Sequence, residues 1–213
     1  MPTTRLFLVR HGETMANREY RYIGTSNDPL STLGHTQAAH LAEALSMFPV
    51  AAVYTSPLQR TYDTAVPIAA RHNLVVQQVD DLRECDFGTW EGLRRAEVIE
   101  RSPVDAQRLR EWEHNASIAP PGGESFEALQ QRVCAVVERL VHVHPDHTIV
   151  LVSHVGPIKV LLSAALGAPL SSVFRIFLDP ATISVVDWRD SAHAIVRLTN
   201  SHAHLGWDQA RWM

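Results

Sequence analysis

The sequence predicts an α/β fold: a mostly parallel central sheet with helices on both faces and a small helical cap at one end. Three observations predict it. Two short runs, LFLV at residues 6–9 and TIVLVS at residues 148–153, are apolar almost throughout, as strands buried on both faces are. Segments of helical length between them carry apolar residues on one face. Strand-like and helix-like segments alternate along the chain, which favours parallel pairing with crossover helices.

Taken in order, the first strand is residues 6–9, and residues 10–30, rich in Gly, Asn, Asp and Thr, read as loop. Ser31 is placed to cap a helix to about Met47, with Ala38, Leu41, Ala42 and Leu45 on one face. Residues 51–55 form a second strand. Pro57 fits the first turn of a second helix that runs to about Arg71. Residues 74–79 form a third strand. Residues 90–121 are charged, hold short helical pieces and end in Pro120-Pro121-Gly122-Gly123, which suits a cap over one end of the sheet. A longer helix follows over about 124–143, with Ser125 near its start. After the strand at 148–153 comes a helix from Pro157 to about Leu166. Residues 183–188 and 194–199 alternate and flank Arg189-Asp190-Ser191, as a hairpin at the sheet edge would.

At 213 residues, a single domain over 1–213, with a cap or insertion over about 90–125, is the simplest organisation. The composition, 46% hydrophobic and 20% charged, is that of a globular chain rather than a disordered one. The net charge of −4 lacks the basic excess of a nucleic-acid binder, so no nucleic-acid partner is expected. The N-terminal apolar stretch is too short for a signal peptide or a membrane span, and Cys85 and Cys134 form no metal or redox spacing. A cytoplasmic protein with reduced thiols and no membrane partner is the expectation. Homodimerisation through a sheet edge or helix face is compatible with the sequence but not specified by it.

In open α/β sheets, ligands bind beyond the carboxyl ends of the strands. Arg10 and His11 follow the first strand, Leu58-Gln59-Arg60 the second and His154 the strand at 148–153; Arg83 and Glu84 lie past the third. Arg, His and Glu from distant positions thus converge. That set suits a phosphate monoester. The guanidinium forks of Arg10 and Arg60 match phosphate oxygens. His11 is the candidate nucleophile, with one ring nitrogen free and the other held by an acceptor. Gly12 lets the backbone bend beside a ligand. His154 is expected to donate to the phosphoryl group, Asn17 to add a neutral contact, and Glu84 to protonate the leaving alkoxide. Glu13, Asp86 and Glu91 are the other carboxyls that stand near enough in sequence to be the acid.

The segment Leu8-Val9-Arg10-His11-Gly12-Glu13-Thr14 resembles the signature of the histidine phosphatase superfamily, in the branch that includes cofactor-dependent phosphoglycerate mutase. The resemblance extends through Asp28-Pro29-Leu30-Ser31, Ser56-Pro57-Leu58-Gln59-Arg60, Leu82-Arg83-Glu84, Gly122-Gly123-Glu124-Ser125 and Val152-Ser153-His154-Val155-Gly156, in that order. It implies a phosphoglycerate mutase-like fold, a metal-free phosphohistidine mechanism with no cofactor, and a core of Arg10, His11, Arg60, Glu84 and His154, with Asn17 as a further phosphate contact. Compared with the glycolytic mutases the chain is shorter, its cap is compact, and Met15 stands where an aromatic is expected. These departures favour a phosphatase acting on a small phosphorylated metabolite over a mutase. A non-catalytic phosphate-binding module is disfavoured by the intact residue set.

Other features have plainer readings. His142, His144 and His147 form H-x-H-x-x-H, and His202 and His204 lie close together; polar closure of a helix end is commoner than a metal site. Trp90 and Trp112 sit in the cap, and Trp207 near the C-terminus; core packing and a pocket wall are both open to the cap pair. Arg94, Arg95, Arg101, Arg108 and Arg110 read as a solvated face, with a second anionic subsite the sharper alternative. The fingerprints of dinucleotide-binding proteins, P-loop kinases, zinc proteases and serine hydrolases do not occur.

Overall fold

The computed structural model describes residues 2–190, 192–206 and 209. Ser191 of the expected turn and Trp207 lie outside them. Among the described residues the sheet has six strands in the order β3-β2-β4-β1-β5-β6. They are β1 (Thr4–Arg10), β2 (Val50–Thr55), β3 (Val76–Gln78), β4 (Thr148–Ser153), β5 (Ile183–Trp188) and β6 (Ala194–Ser201). The first four are mutually parallel, and β5 and β6 extend the sheet beside β1 as an antiparallel hairpin. The helices are α1 (Met15–Arg18), α2 (Thr32–Leu45), α3 (Gln59–Arg71), α4 (Arg95–Arg101), α5 (Pro103–Trp112), α6 (Phe126–Val143) and α7 (Val155–Ala165).

The uninterrupted apolar runs serve two cores at once. Leu6, Leu8, Ile149 and Leu151 point into a core built with α6, α7 and the cap. Their alternate neighbours Phe7, Val9, Val150 and Val152 point into a second core built with α2 and α3. A strand with one wet face would have alternated with polar residues instead. Serine caps set the helix starts: Ser31, Ser102 and Ser125 accept from the backbone N–H of Gly34, Asp105 and Ala128, each worth about 1 kcal/mol.

The elements depart from the sequence reading in a few places. The loop at 10–30 contains α1, a four-residue helix closed by a Thr14–Asn17 capping box and shorter than any periodicity signal. The third strand is confined to Val76–Gln78 at the sheet edge. Pro57 lies ahead of α3 rather than in its first turn, and Pro67 sits inside that helix. Helix α7 starts at Val155, so Pro157 falls in the first turn, where its missing N–H costs no intrahelical bond.

This topology locates a site. The chain leaves β1 toward β2 across one face through α2, and leaves β4 toward β5 across the other face through α7. The adjacent ends of β1 and β4 are therefore a switch point, where a crevice opens beyond the strands. His11 and His154 are the residues that follow them.

Candidate active site

His11 is held at the end of β1 by the sheet itself. Its N–H donates to the Ser153 carbonyl at 3.0 Å, and its own carbonyl accepts from Ala181 at 2.9 Å. The ring Nδ1 lies 2.7 Å from the Gly12 carbonyl. A carbonyl only accepts, so Nδ1 carries the proton and Nε2 keeps its lone pair. Burial, followed by the charges of Arg60 and Arg10, holds the imidazole well below its ordinary pKa, so the ring is neutral. Gly12 is needed for a reason other than a bend: a Cβ there would lie 2.6 Å from the Gly34 carbonyl oxygen of α2. Thr64 of α3, which stands with Ala65 just past the Ser56–Arg60 motif, accepts from the Gly12 N–H at 3.0 Å.

Arg60, on the first turn of α3, is 1% exposed. Its Nη1 and Nη2 donate to the carbonyls of Ser26 and Gly24, and its Nε donates to His154 Nδ1 at 3.2 Å. The proton of His154 is therefore on Nε2, which donates to Ser56 Oγ at 2.9 Å. The His154 ring meets the His11 ring edge-on, with centroids 5.2 Å apart. Both of its nitrogens are thus engaged, and it backs the pocket rather than lining it. Arg10 lines the pocket and is tethered through Nη1 to the Leu178 carbonyl.

Glu84 is buried at the start of α7. Its Oε1 accepts from the N–H groups of Cys85 and Gly156 at 2.8 and 3.0 Å. Burial pushes its pKa above the ordinary carboxyl value, against the pull of those bonds and of Arg60 and Arg10. Gly156 leaves the room: a Cβ there would stand 2.2 Å from Glu84 Oε1. The competing carboxyls are occupied elsewhere and line no part of this pocket. Glu13 accepts from Ser31, Glu91 from the Gly24 and Thr25 N–H groups, and Asp86 from the Gly88 N–H.

These groups open on a cavity of about 230 Å³. Arg10, His11, Asn17, Arg60 and Glu84 form its polar end, and Tyr22, Phe87, Trp112 and Phe126 form an aromatic wall. Trp112 is thus both core and wall, whereas Trp90 is fully buried in the core. Lys159 of α7 also lines the cavity; burial, then the charge of Arg10, lowers its pKa to about 8. Nothing in the sequence singles it out, because a lone lysine on a helix reads as a solvated residue.

The remaining candidates go elsewhere. Among the described residues no three metal-ligating side chains converge. His144 Nε2 meets the Tyr54 hydroxyl at 2.8 Å. His202 pairs with Asp179, and His204 bonds the Ala181 carbonyl, so both brace the segment that receives His11. Arg94 and Arg95 pair with Glu19 and Glu113 on the cap surface.

A buried histidine flanked by guanidinium groups at a switch point has the chemistry to receive a phosphoryl group. A family profile for the histidine phosphatase superfamily (branch 1) matches residues 6–201, and the chain belongs to that family. It is 42% identical over 203 residues to a bifunctional protein of Mycobacterium tuberculosis, covering 95% of this chain but 55% of that protein. The chain thus spans about half the length of that relative. It is 38% identical to phosphoserine phosphatase 1 of Hydrogenobacter thermophilus, with 95% and 94% of the two chains covered. Mycobacterial glucosyl-3-phosphoglycerate phosphatase in complex with VO3 superposes with a TM-score of 0.84 at 33% identity, over 92% of this chain and 99% of that one. No helix of the described residues is long and apolar enough to cross a membrane.

Proposed function

We propose that this chain is a metal-independent phosphatase that hydrolyses a small phosphomonoester through a phosphohistidine on His11. The observation that carries the proposal is the Nδ1–H bond from His11 to the Gly12 carbonyl, inside a cavity that also presents Arg10, Arg60 and Glu84. Arg10, Arg60 and Asn17 bind the phosphoryl oxygens. The neutral His11 attacks phosphorus through Nε2 as the ester P–O bond breaks, and Glu84 gives its proton to the departing oxygen. Water then attacks the phosphohistidine, Glu84 takes the water proton, the P–N bond breaks and phosphate leaves. His154 acts from behind, holding Arg60 Nε and the edge of the His11 ring. The largest rate contribution is preorganised positive charge around the transferring group, since every part is held before substrate arrives.

One domain carries this activity in the proposal, and its place is the cytoplasm, which the free thiols Cys85 and Cys134 support. The test is phosphate release from a panel of phosphomonoesters in EDTA, wild type against His11→Ala. Turnover that survives EDTA and vanishes in the variant is expected. Strict dependence on added Mg²⁺ overturns the mechanism. Isomerisation of 3-phosphoglycerate without phosphate release would make the protein a mutase instead.

A further inference from the structure

The cavity holds one cation that the hydrolysis leaves without a task. Arg10 and Arg60 are tethered at the phosphoryl end. Arg21, also on the wall, is engaged by Glu19, Glu97 and the Gly92 carbonyl. Lys159 makes no hydrogen bond or ion pair with any described residue, although it is mostly buried and faces the same space. An ammonium with three donors, removed from water and left unmatched, is costly to the fold unless a ligand completes it.

Its position says which part of the ligand. In an in-line displacement the leaving oxygen stands opposite the attacking nitrogen. Glu84, which protonates that oxygen, is fastened to the Gly156 N–H at the start of α7. Lys159 lies three residues past Gly156, one helical turn along the same helix, and lines the same cavity. From the helix whose start fastens Glu84 it faces the cavity on the proton donor's side, where the alcohol portion of the ester would lie.

We propose that Lys159 is a specificity-determining residue whose ammonium holds a carboxylate carried by the alcohol portion of the phosphomonoester. The proposal rests on the phosphatase reading above and adds the substrate class to it. One ammonium matches one carboxylate; a second phosphate dianion would need a further cation, and Arg21 is already neutralised by two glutamates. Lys159 shares its cavity with Tyr22, Phe87, Trp112 and Phe126, an apolar surround in which the pair is worth more than on an exposed surface.

The test compares 3-phosphoglycerate with glycerol 3-phosphate, which share the phosphoryl ester and three-carbon skeleton and differ by a carboxylate against a hydroxymethyl group. Wild-type protein is expected to prefer 3-phosphoglycerate. In Lys159→Met the ratio of the two kcat/KM values falls about tenfold or more, chiefly through KM, the size of a lost charge-assisted hydrogen bond. Lys159→Arg restores most of the ratio. Inhibition by vanadate, which has no alcohol portion, reports whether the phosphoryl end of the variant is intact. An unchanged ratio, an equal loss on both substrates, or a wild-type preference for glycerol 3-phosphate overturns the proposal; an equal loss assigns Lys159 to the phosphoryl group. Undiminished phosphate release by His11→Ala, or none by wild type from either ester, overturns the phosphatase reading itself and the proposal with it.

Discussion

Arginines stand at both ends of the sheet. At the carboxyl ends of β1 and β4, Arg60 is sealed from water, and its donors reach Gly24, Ser26 and His154. At the amino ends of the same strands, Arg5 and Arg197 share Asp187 with their side chains 46% and 54% exposed. The groove at that amino end is the larger of the two, about 530 Å³ against about 230 Å³, and it too is lined by arginine, histidine and carboxylate side chains. What separates the two is water. In the groove the half-exposed Arg5 and Arg197 are screened by water and paired with Asp187. In the pocket, burial turns the same residue types into a neutral histidine, a raised carboxyl and pinned guanidiniums.

Mutations at the two ends sharpen this contrast. His11→Ala should lower kcat by roughly four orders of magnitude or more, because no neighbour can replace the nucleophile. Arg5→Ala, measured in the same phosphate-release assay, should change kcat/KM by less than about twofold; a comparable loss there would end the distinction between the two sites.

Glu84→Gln should cost roughly 10²–10³-fold on alkyl phosphates. On p-nitrophenyl phosphate the loss should be much smaller, since nitrophenolate leaves without a proton. Equal losses on both would remove Glu84 as the acid. Gly156→Ala tests how tightly Glu84 is placed. Its new methyl group overlaps Glu84 Oε1, and a displacement of that size should cost on the order of 10²-fold in kcat.

Acidity gives a smaller and graded effect. His11 and His154 titrate near 6.5 when unfolded and well below it when folded. Between those values the unfolded chain binds more protons, so stability falls as pH drops below 6.5, by up to about 1.4 kcal/mol per pH unit for each ring. Calorimetric Tm between pH 7.5 and 5.5 should therefore fall more steeply for wild type than for His154→Gln. Activity should extend further to the acid side than the ordinary values of a histidine and a glutamate allow, because burial moves His11 down and Glu84 up. The smallest effect is expected from Arg197→Ala, under about 1 kcal/mol in denaturant unfolding, because Arg5 still pairs with Asp187.

Much of the scaffold was legible residue by residue. The run TIVLVS is β4 to the residue, its four central apolar residues buried on both faces. Ser31 and Ser125 mark their helices because a cap is a local hydrogen bond. Helix α1 was not legible, being shorter than two turns, and neither was the shortening of β3, an edge strand paired on one side only. At the site, Arg10, His11, Arg60 and Glu84 were readable as residues that follow strands. The roles of Thr64, Ser56 and Lys159 were not, since Thr64 and Ser56 act through Gly12 and His154, far away in the chain, and Lys159 meets the cavity only once α7 has packed.

The sequence by itself determined the alternation of strands and helices, and so the kind of sheet and the end of it where chemistry gathers. Periodicity and capping are short-range properties, and composition carries them. The tertiary structure decided which nitrogen of His11 keeps its lone pair, that His154 turns toward Arg60 and Ser56, and that Lys159 faces the cavity unmatched. Those outcomes depend on desolvation and on hydrogen bonds closed across the fold, and neither exists until β1, β4 and α7 have packed together.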